Sequence, residues 1–379
     1  MQLQEAVELA TSQAPPDGNT VDEIVARGRR VRRRRRAAWT SAGAALTVAA
    51  VSAAVALPSW SGGGTEEILA AGSGSGTGSL VAAEPFTFTF EGFQVGRWTV
   101  EAPRVVSSSY QIASVYLDGR TTNDKAAPPP TAAPPRTTDP IIYAYLVVYR
   151  PGAFDPAKLT NARKLTVDGR PARQSENVVP DSVDLTHRVL AWEYATGAWA
   201  VLESRSNSRT DPSDADLRQI VPALRAGTAT PAKVPFTVSY VPPGYRLVEV
   251  GEQALPGLNG IAAARDGNYG GAVYASPAPP VTGLVEPYGG VAGDPVPGSF
   301  EIFVLPAANA NQKSGSTAID CGDGWCSRRT PDGKVAVSVT GDGRLSETEM
   351  TKVLQGVTLA TVTSDATWPD ARTALSAGS

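Results

Sequence analysis

The chain lacks most of the chemistry that usually gives a function away. Among 379 residues, histidine occurs once, at His187, and cysteine twice, at Cys321 and Cys326. A structural zinc site takes about four ligands, so a Cys/His set is excluded. No Gly-x-Ser-x-Gly elbow occurs, and a hydrolase would have to gather nucleophile, base and orienting group around that single histidine. His187, beside Arg188 and close in sequence to Asp184, reads as a surface or hydrogen-bonded residue. Carboxylates are plentiful, but Asp118, Asp168, Asp266, Asp332 and Asp342 each precede glycine, and Asp-Gly is first a turn signal. The chain therefore reads as a non-enzyme with no catalytic residue, cofactor site or metal site. Lysine is scarce too. Arginine outnumbers it 27 to 7, the bias of a high-GC bacterial genome.

Long apolar runs are missing except for one. Residues 37–57 hold no charge, no Asn or Gln and no proline. As a helix these 21 residues would span roughly 31 Å, one hydrocarbon core. Arg27, Arg29, Arg30, Arg32, Arg33, Arg34, Arg35 and Arg36 stand just before them, and arginine is retained on the cytoplasmic side. The expectation is a single-pass protein of the bacterial cell membrane. A basic cytoplasmic tail covers 1–36, a transmembrane helix 37–57, and the body lies outside. Arg29, Arg30 and Arg32 to Arg36 would meet anionic lipid heads. Ten residues of the run are alanine, and Ala54-Val55-Ala56 fits a small-x-small cleavage site, so a cleaved signal peptide is the competing reading. The 36 residues ahead of the run favour the uncleaved anchor, because a whole signal peptide has about 15–30.

Net charge is −3, but residues 1–36 carry +3 and the remainder −6. An acidic body argues against nucleic acid as a partner. In an oxidising compartment the two cysteines read as one short disulfide, with Trp325 between them as a contact candidate. A redox pair usually has two intervening residues at a helix start, and here there are four. Asp342, Gly343 and Glu349 match the second half of an EF-hand loop, but Ser338 and Thr340 would occupy its first ligand positions without the needed charge.

Residues 58–84 form a Gly/Ser-rich linker. Beyond it the sequence reads as a tandem duplication over 85–227 and 234–363. Pro85-Phe86-Thr87-Phe88 returns as Pro235-Phe236-Thr237-Val238, with the alternation of a half-buried strand. Each copy has a proline-rich excursion, 126–140 and 275–299, with six prolines in each. Each ends in a helix opened by a capping box, Ser213 with Asp216 ahead of Leu217, Ile220, Val221 and Leu224, and Ser346 with Glu349 ahead of Met350, Val353, Leu354 and Val357. Pro222 should shorten the first helix. The expected fold class is α+β: two antiparallel sheet units, each closed by its C-terminal helix, after one transmembrane helix. Residues 364–379 read as a disordered tail. Trp192 and Trp199 flank the Thr196-Gly197 turn, where core packing competes with an aromatic contact platform.

The run 165–172, the paired strands 190–204 and the Pro242-Pro243-Gly244-Tyr245 entry resemble a domain of unknown function. That domain is found in the extracytoplasmic parts of anti-sigma-factor-like proteins of Gram-positive bacteria. The arginine-rich leader before an Ala/Val span is similar to single-pass membrane proteins of actinobacteria. The resemblance implies a membrane-tethered sensory or regulatory role. Zinc-type anti-sigma proteins carry a His-x-x-x-Cys-x-x-Cys motif in a larger cytoplasmic domain, and the 36-residue tail has neither histidine nor cysteine. The partners expected are the membrane, an envelope protein or ligand outside, and a cytosolic regulator at the tail. An envelope assembly or lipid-handling factor is the alternative.

Overall fold

A computed structural model describes residues 79–376 except 83, 118–141, 179–185, 205–211, 259–267, 290–295, 311–316 and 342–343. The tail over 1–36, its arginines and the span over 37–57 lie outside the described residues. Among those described, no helix is long and apolar enough to cross a membrane.

The first set of elements is β1 (Thr87–Phe88), β2 (Phe93–Val95), β3 (Trp98–Val100), β4 (Val105–Ser107), β5 (Tyr110–Leu117), β6 (Ile142–Tyr149), β7 (Arg163–Val167), β8 (Arg170–Val178), β9 (Thr186–Ala195), β10 (Ala198–Ser204), helix α1 (Asp214–Ile220) and β11 (Thr230–Pro231). The second is β12 (Phe236–Val238), β13 (Arg246–Glu252), β14 (Gly270–Ala275), β15 (Ser299–Pro306), β16 (Asp320–Gly322), β17 (Trp325–Arg329), β18 (Val335–Thr340), α2 (Glu347–Gly356), β19 (Val357–Leu359) and α3 (Ala371–Ala374).

One antiparallel sheet runs through both sets in the order β16-β17-β18-β15-β14-β13-β4-β5-β6-β10-β9-β8-β7, with β3 and β2 continuing along β5. This overturns the α+β class of two separate sheet units. The described residues are mostly antiparallel β, and the helices among them are short. The physical reason lies at the seam. Left apart, β4 and β13 would each be an edge with unpaired backbone groups. They pair with each other through Ser107↔Glu249, Val106↔Val250 and Val105↔Gly251. Helix content stays low because α1 ends at Ile220, and Pro222 sits inside the 3₁₀ turn that follows.

Register assigns the two faces. Val106 lies opposite both Gln111 and Val250, so these share a face with Ala113. That face carries two apolar cores. Leu217, Ile220 and Val221 pack over Ala113, Leu146, Leu190 and Trp192 in one, and Met350, Val353 and Leu354 pack over Val250, Ile302 and Val339 in the other. The helices form where their caps direct. Ser213 and Asp216 make a reciprocal capping box, and Ser346 accepts from the Glu349 amide. The segment after 363, expected to fray, packs instead. Trp368, Ala371, Ala374 and Leu375 are buried, and the Tyr274 hydroxyl donates to the Leu375 carbonyl at 2.9 Å. Ala371, Ala374 and Leu375 join the second core, which their sparse spacing did not signal.

Candidate functional site

The opposite face carries the unusual chemistry. Val105, Ile112, Tyr110, Tyr145, Tyr149, Val201 and Val273 form its core, and among the described residues no long helix covers it. Two segments of the second set do so instead. The first, 253–258, lies flat on β13 and β14 because glycine floors it. A Cβ on Gly271 would sit 2.7 Å from Pro256 Cδ. The second, the described part of 276–298, crosses onto the first set as a strap. Leu284 exchanges hydrogen bonds with Asp155 and Ala153 at 2.7 and 2.8 Å, and the Lys158 ammonium donates to the Gly283 carbonyl at 2.8 Å.

Under these segments sits Glu249, 1% exposed, on the seam strand β13. A register shift between Leu247 and Glu249 turns the carboxylate to this face. Its oxygens accept hydrogen bonds from the Tyr110 hydroxyl and the Gly257 amide. The Tyr110 oxygen in turn accepts from the Tyr288 amide at 2.8 Å. The Tyr288 hydroxyl lies 2.9 Å from Ser109 Oγ and donates to the Pro280 carbonyl at 3.2 Å. Burial pushes the Glu249 carboxyl up to about 7; the bonds from Tyr110 and Gly257 pull it down, and the Glu301 charge adds to the rise. Tyr110 is held well above the ordinary phenol range, by burial first and then by Glu249. A row of rings, Tyr288, Tyr110, Tyr149, Phe154 and Trp199, extends from the network with centroids 5.0–6.1 Å apart. Chemically this is a carboxyl able to exchange a proton near neutrality, bonded to both sides of the seam.

The residues singled out from sequence lie elsewhere. Cys321 and Cys326 are disulfide-bonded across β16 and β17, directly opposite each other. Trp325 is half-buried, its ring against Gly322. Trp192 is fully buried on the helix face, and its indole N–H has no partner among the described residues. Trp199 is half-buried on the strap face, because it pairs with Glu193 while Trp192 pairs with Ala200. The two tryptophans therefore form no common platform. His187 lies on β9 opposite Asn177. The EF-hand-like run includes 342–343, outside the described residues. Among the described residues no three His, Cys, Asp or Glu side chains are placed to hold a metal.

Two surface grooves are open to solvent. One, ≈ 400 Å³, is lined by Leu80, Asp168, Arg170, Tyr194 and Arg225, and the other, ≈ 420 Å³, by Phe93, Thr99, Glu101 and Arg104. Neither has the enclosed apolar form of a small-molecule site.

No protein-family model matches the chain. No curated protein matches it either. A similar solved structure is a chain in the complex structure of Pseudomonas aeruginosa MucA/MucB, at 15% identity, covering 73% of this chain and 94% of that one, with a TM-score of 0.20. A likeness at that level transfers neither fold nor partner.

Proposed function

We propose that this is a membrane-tethered regulatory or sensory protein of the bacterial cell envelope, whose body lies outside the cytoplasm and binds another protein without catalysis. The observation that carries the reading is the filled sheet. Helices pack one face, the 253–258 segment and the strap pack the other, and the grooves are open, so recognition falls to the outer surface. Val281 is the one exposed large hydrophobic side chain among the described residues, which suits a polar, reversible contact. The disulfide suits an oxidising compartment. The arginine block before 37–57 suits a cytoplasmic N-terminus.

The test has two arms. Protease added to intact cells should degrade the body, and a body that survives there but is cut after lysis would contradict the placement. Residues 1–26 are then replaced by an unrelated sequence with the arginines kept. Loss of an envelope-stress transcriptional response supports signalling. An unchanged response would overturn it in favour of an assembly or lipid-handling factor whose tail only sets topology.

A further inference from the structure

The seam between the two strand sets is short. Three residue pairs join β4 to β13, and Glu249 belongs to one of them. Among the described residues its side chain accepts one bond from each side of the seam. Tyr110 belongs to the first set, and Gly257 to the 253–258 segment of the second. The strap joins the same network through the Tyr288 amide on Tyr110 and the Tyr288 hydroxyl beside Ser109.

We propose that Glu249, Tyr110 and Tyr288 form a proton-operated clasp. The protonated carboxyl holds the 253–258 segment and the strap onto the seam, and loss of its proton to solvent lets them lift.

The reason is electrostatic. The groups bearing on Glu249 are Tyr110 on β5, Gly257 and Glu301 on β15; through the tyrosines, Tyr149 on β6, Tyr288 and Glu286 of the strap and Glu203 on β10 join them. Among the described residues no lysine or arginine bears on it. An ionised carboxylate left there has two donors and no counter-charge, and burial of such a charge is strongly unfavourable. Lifting the covering segments hydrates it. Loop segments are where local opening is least costly, whereas strands β13 and β14 keep their ladder. The opened face would present Tyr110, Tyr149 and Phe154, aromatic rings that the closed form conceals, beside the half-buried Trp199. The clasp stands whether or not the chain is membrane-tethered.

Hydrogen exchange on the full chain at pH 5.5 and 8.5, corrected for intrinsic rates, tests this. Amides of 253–258 and 284–289 should exchange about tenfold faster or more at pH 8.5, while those of α2 stay unchanged. Glu249→Gln, neutral and of the same shape, should keep both segments protected at both pH values. Tyr110→Phe removes a bond that favours the ionised form, so its transition should move to higher pH. Equal corrected rates in the native chain would overturn the proposal. So would a pH dependence that persists in Glu249→Gln, or a transition that does not move in Tyr110→Phe, the variant that decides if the first fails to fold.

Discussion

The two faces of the sheet are closed by different means. The helix face is sealed by α1 and α2 over apolar cores in which Trp192, Leu217, Val353 and Leu354 are almost fully buried. The strap face is sealed by loops, held through a carboxyl, two tyrosines and backbone groups. Hydrophobic burial carries no proton and is indifferent to pH, whereas a buried carboxyl is not. One sheet thus combines a side built for constant stability with a side whose closure depends on a proton.

The largest effect is expected on the helix side. Trp192→Ala removes a fully buried ring and should cost about 3–5 kcal/mol in denaturant unfolding, equally at pH 5 and pH 8. A loss that varied with pH would blur the distinction between faces. Reducing the Cys321–Cys326 disulfide should cost about 2 kcal/mol, given the short loop it closes, and should leave exchange of the strap unaffected. The smallest effect is expected at the caps. Ser213→Ala and Ser346→Ala should each cost about 1 kcal/mol, measured by thermal unfolding, again without pH dependence between 5 and 8. Should either variant instead loosen the strap, the faces would be coupled more tightly than the packing implies.

What the sequence revealed was local. The caps at Ser213 and Ser346, the interruption at Pro222 and the pairing of two cysteines five positions apart are short-range features, and all stand in the structure. The fold class was not legible, because β4 is a three-residue strand that gains its meaning only from pairing with β13 far along the chain. Glu249 was hidden for a related reason. In Leu247-Val248-Glu249-Val250-Gly251, plain alternation gives no sign that the charge is covered, and both the register shift and the strap are tertiary events. Trp192 and Trp199 are near in sequence on either side of one turn, yet a second irregularity between Ala198 and Trp199 and the alternation of the strands set them on opposite faces. The only hint of the candidate site was an acidic residue inside an apolar run.

The most direct measurement is unfolding free energy against pH for the native chain and Glu249→Gln. The native carboxyl sits at about 7, above its ordinary 4.5, so between those values the folded state binds the extra proton and stability falls as pH rises. The native chain should lose roughly 3 kcal/mol relative to the variant between pH 4.5 and 7, then run parallel to it above pH 7. Parallel curves throughout would show that Glu249 does not govern the seam and would contradict the account.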